Sequence, residues 1–197
     1  MEEVELRAQK DKAALRARLR AARAGRDAED LANLGAALAE HGAGLCAGAA
    51  VVAAYAAIGD EPPTRVLLDR LVDAGMTVLL PMVRPDGLSW SRYDGWQALA
   101  DRGGLLEPAG TIEPDVLTRA ELVLAPALAV DRTGNRLGRG GGYYDRALVG
   151  VPPDRIVAVV FADEVLDVVP VDPHDVPVGA VLTPDGLVPL RRPDVGP

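Results

Sequence analysis

Residues 136 to 146 read RLGRGGGYYDR, and four of the first seven, Gly138, Gly140, Gly141 and Gly142, are glycine. Glycine reaches backbone angles closed to other residues and lets a ligand approach the main chain. Arg136 and Arg139 set two cations into the loop, and Tyr143, Tyr144 and Asp145 follow directly. One short stretch therefore offers bare amide donors, positive charge, aromatic faces and a carboxylate. Amide-rich glycine loops that open into a helix bind anions, because unpaired N–H groups and the helix dipole point at one spot. The expected chemistry is a phosphate cradle, for ATP. Familiar phosphate motifs do not fit it. A P-loop needs Lys-Ser or Lys-Thr after its glycines, and none follows here. The third glycine of a dinucleotide fingerprint would fall on Tyr143.

Other charges are spaced to join this cradle. Residues Glu3 to Ala24 read as a helix rich in Ala, Leu, Arg, Lys and Glu, with no proline. Leu15, Leu19 and Ala22 make its narrow apolar edge, while Lys12, Arg16, Arg20 and Arg23 recur at steps of four, four and three and share a stripe. Like charges so spaced repel by about 0.2–0.5 kcal/mol per pair. A solvated basic face and a face turned to an anion are both open readings, and the glycine loop favours the second. Asp145 is placed to help hold Mg²⁺ carried on ATP, since that ion takes one or two carboxylates plus phosphate oxygens. A first-turn carboxylate also gains from the helix dipole with no metal present. His174, among prolines, reads as a surface residue and His41 as a structural residue at a helix end.

The same letters resemble a known family. Members of the 5-formyltetrahydrofolate cyclo-ligase family, also called 5,10-methenyltetrahydrofolate synthetases, carry a stretch close to D-x-x-G-x-R-L-G-R-G-x-G-Y-Y-D. Asp131 to Asp145 reads DRTGNRLGRGGGYYD. The likeness extends to a K-x-x-x-R near the N-terminus, supplied by Lys12 to Arg16, to a segment ending in Glu107-Pro108, and to the tail from Pro170 to Thr183. Many members place a tryptophan just before the Glu-Pro pair, where this chain has GGLLEP.

The resemblance implies that Lys12 and Arg16 contact ATP phosphates, with Arg136, Leu137, Gly138, Arg139, Gly140, Gly141, Gly142, Tyr143 and Tyr144 around the nucleotide. It implies folate contacts from Glu61 and Tyr55, with Arg139, Gly140, Gly141, Gly142 and Tyr143 shared between the two ligands. Lys12 and Arg139 take catalytic roles, and Asp145 and Asp175 the Mg²⁺. The implied reaction converts 5-formyltetrahydrofolate to the 5,10-methenyl form with release of ADP and phosphate. An α/β protein that turns the same cradle to another ligand, such as a sugar phosphate or coenzyme A derivative, and a non-catalytic nucleotide sensor are the rival readings.

These groups need a scaffold to bring them together. Ala49 to Ile58 (AAVVAAYAAI) reads as a central parallel strand ending at Gly59-Asp60-Glu61. That places Asp60 and Glu61 at the carboxyl end, where open α/β sheets bind ligands. Either residue could also open the next helix. Helices are predicted over Ala28 to Glu40, stopped by Gly42 and Gly44, over Thr64 to Ala74, and from Tyr143 to Leu148. Strands are predicted over Met76 to Met82, over Leu88 to Tyr93 at an edge, over Glu121 to Pro126 and over Arg155 to Phe161. The alternation indicates a three-layer α/β/α sandwich with a mostly parallel central sheet, in a single domain over residues 1–197.

Composition bounds the rest. At 197 residues the chain can bury about 70% of its unfolded surface. It has no apolar run of the ~18 residues a membrane span needs, and no signal-peptide pattern, so a soluble cytoplasmic protein is expected. Cys46 is the only cysteine, which excludes an internal disulfide and a thiolate zinc cluster. The net charge of −8 argues against a nucleic-acid binder, and no obligate protein partner is evident. That charge is uneven, because Met1 to Arg26 holds eight basic and four acidic residues.

Overall fold

The computed structural model describes residues 2–190. Its helices are α1 (Glu2–Ala24), α2 (Ala28–Leu45), α3 (Arg65–Asp73), α4 (Val116–Arg119) and α5 (Tyr143–Ala147). The strands run β1 (Val51–Ala53), β2 (Thr77–Arg84), β3 (Gly87–Arg92), β4 (Leu99–Asp101), β5 (Leu106–Pro108) and β6 (Leu122–Pro126). They continue as β7 (Ala129–Asp131), β8 (Arg136–Leu137), β9 (Ile156–Val159), β10 (Val165–Leu166), β11 (Ala180–Thr183) and β12 (Gly186–Val188). Seven strands form one sheet in the order β12-β11-β9-β6-β1-β2-β3. The five inner strands are mutually parallel, and antiparallel β3 and β12 close the two edges. Small sheets β10-β7-β8 and β4-β5 flank it.

The inner strands are apolar on both sides because both sides are covered. Successive side chains alternate between faces. Val52, Val78, Leu80 and Leu124 enter one core with Leu38 and Ala39 of α2 and Leu67, Leu68 and Leu71 of α3. Ala53, Leu79, Val123 and Ala125 enter another with Val116, Ala120 and Leu148. Burying each leucine contributes roughly 1.5–3 kcal/mol. The layers are unequal, since α4 and α5 are one-turn helices of four and five residues.

Most boundaries shift by one or two residues, and two differ from the sequence reading by more, each for a packing reason. Helix α2 runs through Gly42 and Gly44 to Leu45, so His41 lies inside it rather than at its end. Gly42 is a contact point and not a stop: a Cβ there would lie 2.8 Å from both methyls of Leu67. The apolar run from Ala49 yields only three strand residues, and Ala54 to Ala56 continue as buried irregular chain beyond the sheet's carboxyl end. Tyr55 leaves the ladder there.

Helix α1 belongs to neither layer. Leu15 and Leu19 pack on Leu128, Ala129, Leu137 and Val169, a third cluster around the small β7-containing sheet. Arg23 anchors its last turn. The guanidinium bonds Glu164 at 2.6 and 2.7 Å and the Ala127 carbonyl at 2.7 Å, and lies 5.5 Å from the Phe161 ring centre. Because this pair is buried, removing one partner would cost about 3–5 kcal/mol. Ala127 follows β6 and Glu164 follows β9, so the anchor ties α1 to the segments leaving two central strands.

Candidate active site

The loop that carries the cations is held from outside itself. Asp131, buried at the end of β7, accepts from Thr133 Oγ1 at 2.6 Å, Asn135 Nδ2 at 2.9 Å and the Val169 amide at 3.0 Å. Burial disfavours its carboxylate, yet these bonds win and hold its pKa below the ordinary value. Gly134 completes the turn at φ +92°, with the Val178 carbonyl 2.5 Å from where a Cβ would stand. The Asp-x-x-Gly start of the motif is thus a clamp between the loop and the tail. It delivers Arg136 into β8.

Each cation predicted for the site has a different acceptor. Lys12 Nζ donates to Asp172 at 2.7 Å and to Asp175 at 2.5 Å. Arg16 Nε donates to the Gly138 carbonyl at 2.9 Å, and Arg20 Nη2 to that of Arg139 at 2.8 Å. Arg136 is buried and donates to the Pro126 carbonyl at 3.1 Å and to the Asp145 carboxylate. Arg139 reaches the opposite way, to Glu61 at 3.0 Å and Asp60 at 2.9 Å. The basic stripe of α1 therefore divides. Lys12, Arg16 and Arg20 face the loop region, whereas Arg23 is a structural anchor.

Two adjoining cavities result. The first, about 420 Å³, is mostly apolar, lined by Tyr55, Ile58, Pro81, Val83, Leu88, Leu105, Leu106 and Tyr143 beside Glu61 and Arg139. The second, about 360 Å³, is ionic, with Lys12, Arg16, Arg146, Asp172, His174 and Asp175 around Leu137 and Gly140. Arg136, Gly138, Gly142 and Asp145 line both. Every residue expected to meet ATP, folate or metal lies on one cavity or the other.

Polar groups at the inner end of the first cavity are short of partners. Among the described residues, Tyr55 Oη, Tyr144 Oη and Arg136 Nε are buried and find no hydrogen-bond partner. Burial pushes both tyrosine pKa values up, and the neighbouring Glu61 charge adds to it. Burial also raises the Glu61 pKa, opposed by the Ile58 amide at 3.0 Å and by Arg139. Glu61 is thus a buried carboxyl on the wall of this cavity.

Three site features were not legible beforehand. Helix α5, with Gly142 as N-cap at φ +64°, spans five residues, so little macrodipole supports the loop. His174 lines the ionic cavity rather than sitting apart from it, and Asp172 and Arg146 join it. The Asp-Pro-His-Asp run is the signal that could have flagged Asp172 and His174. The apolar liners Pro81, Val83 and Leu88 come from β2 and β3, and no local pattern marks them.

As for a metal, Asp145 and Asp175 offer hard oxygen donors on the ionic cavity, a fit to Mg²⁺ arriving on phosphate. Among the described residues no cluster of three or more His, Cys, Asp or Glu could hold an ion. No helix of the described residues is long and apolar enough to cross a membrane.

Comparison with known proteins converges. The model of the 5-formyltetrahydrofolate cyclo-ligase family matches residues 8–184. A Mycolicibacterium smegmatis protein named 5-formyltetrahydrofolate cyclo-ligase is 43% identical over 157 residues, covering 75% of this chain and 81% of that one. An Escherichia coli protein of the same name is 33% identical over 141 residues, 68% of this chain and 77% of the other. The solved Aquifex aeolicus 5,10-methenyltetrahydrofolate synthetase superposes with a TM-score of 0.77 at 25% identity, covering 94% of this chain and 96% of that one.

Proposed function

The chain belongs to the 5-formyltetrahydrofolate cyclo-ligase family, and on that premise we propose that it converts 5-formyltetrahydrofolate to 5,10-methenyltetrahydrofolate at the expense of ATP, with residues 1–197 acting as one catalytic domain. The observation that carries this reading is the shared wall. An apolar cavity with a buried carboxyl and an ionic cavity meet at Arg136, Gly138, Gly142 and Asp145. A formylated pterin in the first and a triphosphate in the second would bring the formyl oxygen to the γ-phosphorus.

An amide oxygen is a poor leaving group, so the formyl group must be activated. Its oxygen attacks the γ-phosphorus and ADP departs. N10 then forms a bond to the formyl carbon, the C–O bond breaks, phosphate leaves, and N10 gives up its proton. Such chemistry asks the protein for positioning and charge neutralisation rather than a nucleophile. Lys12, Arg16 and Arg136 neutralise phosphate, and the Gly138–Gly142 backbone approaches it. Arg139 orients Glu61, which with Tyr55 and Tyr143 holds the pterin, and Tyr144 closes the inner wall. Asp145 and Asp175 would hold Mg²⁺, whose contribution is to screen phosphate charge. Arg139 and Lys12 act on the reacting centre, one from each cavity.

The cations are not idle before ATP arrives. Each already holds a carboxylate or a carbonyl, so phosphate binding exchanges one acceptor for another. Incubation of the protein with Mg-ATP and 5-formyltetrahydrofolate should yield methenyl-folate absorbance and one ADP per product. Folded protein that makes neither would overturn the proposal.

A further inference from the structure

The rim of the apolar cavity away from the phosphates carries a second feature. Glu107, 3% exposed, lies on β5 and lines that cavity but not the ionic one. One of its oxygens accepts from the Val83 amide at 2.7 Å. The other faces two guanidiniums, Arg84 Nη1 at 3.4 Å and Arg102 Nε at 3.7 Å. Arg84 Nη1 also donates to the Val83 carbonyl at 2.8 Å, and its Nη2 points at the Met82 thioether, a weak acceptor, at 3.0 Å. Among the described residues, one carboxylate thus serves two arginines whose remaining donors meet no strong acceptor. Their side chains are 33% and 62% exposed.

Both arginines adjoin residues that line the cavity, Arg84 following Val83 and contacting Glu107, and Arg102 contacting Glu107. Arg84 ends β2 at the sheet's carboxyl edge. The Arg102 amide donates to the Leu105 carbonyl at 2.8 Å, and this tight turn sets Arg102 next to a cavity-lining residue. The acid of the same turn, Asp101, is taken up by the Gly104 amide at 2.7 Å. We infer that Arg84 and Arg102 receive the carboxylates of the substrate's glutamate tail, an inference that rests on the folate reading above. The reacting end of a folate must face the wall shared with the ionic cavity, so its glutamate leaves by the opposite rim. In a chain of net charge −8, two under-paired guanidiniums at that rim attract an acidic tail that the bulk of the surface repels.

The test compares 5-formyltetrahydrofolate bearing one or three glutamates with 5-formyltetrahydropteroate, which bears none. Wild-type protein and the variants Arg102→Glu and Arg84→Gln are assayed for KM, kcat and calorimetric affinity. Arg102 makes one long contact at an exposed position, so its reversal leaves the fold intact. Arg102→Glu should raise KM for the glutamate-bearing substrates by about tenfold, leave kcat and the KM for ATP unchanged, and leave the tail-less compound unaffected. Arg84→Gln should act in the same direction. Equal weakening of the tail-less compound, or equal wild-type affinity for compounds with and without glutamate, would overturn the inference. If calorimetry shows tail-dependent binding lost in Arg102→Glu while no compound is turned over, the tail site stands and the proposed reaction falls. Normal turnover without any tail dependence would instead leave the reaction standing and remove the tail site.

Discussion

The two cavities are built on opposite principles. The apolar one is lined by side chains that have left the sheet ladder or stand near its end, with Tyr55 beyond β1 and Pro81 and Val83 in the second half of β2. Its wall offers an apolar shape and two buried carboxyls, Glu61 and Glu107. The ionic one is assembled from charges far apart in sequence, Lys12 on α1 meeting Asp172 and Asp175 from the tail. Its cations are already paired, so each would contribute to ligand binding only the difference between two acceptors. Arg136, on the shared wall, stands apart: it is buried, and among the described residues its Nε has no partner to lose.

The largest test of this contrast is Arg136→Ala, expected to lower kcat by about a hundredfold in steady-state ADP release, the scale of losing a preorganised donor in a catalytic site. A loss under about threefold would mean that the shared wall does not contact the transferred group. Glu61→Gln comes next. It should raise KM for 5-formyltetrahydrofolate by roughly tenfold while the KM for ATP stays put, which separates the cavities by ligand. Parallel changes in both constants would merge them. Lys12→Met should raise the KM for ATP by about fivefold and lower kcat by less than Arg136→Ala does, because the ammonium starts out paired. A much larger effect would show that Asp172 and Asp175 do not compete with phosphate.

The smallest effect is on stability against pH. Glu61 has a folded pKa above its ordinary value near 4.5, so its contribution to stability is greatest below that value. It is lost as pH rises through the folded pKa and the buried carboxyl ionises. Melting curves from about pH 4 to 7.5 should therefore shift in favour of the Glu61→Gln variant by about 2 °C with rising pH. A gap that moved the other way would mean that Arg139 more than compensates burial.

Much of this was readable in the letters. The fifteen-residue stretch ending at Asp145 contains its own logic, since Asp131 clamps the turn and Gly134 and Gly142 take backbone angles other residues avoid. Strand and helix periodicity placed the central sheet. The failures share a cause. Gly42 and Gly44 read as a stop because a glycine's local cost is visible and the methyls of Leu67 are not. The four cations of α1 read as one stripe because helical spacing shows which residues share a face and nothing about the acceptor each meets.

The amino-acid order alone determined the longer helices, most of the central strands, the glycine-loop letters and the family, because these depend on neighbours within a few residues. Tertiary structure decided that Arg23 anchors while Lys12 faces the ionic cavity, that Arg139 turns to Glu61, and that Glu107 faces two arginines at a cavity rim. Those outcomes depend on which chain segments the sheet order brings together, and electrostatic pairing acts over a few ångströms in space with no regard for distance along the chain.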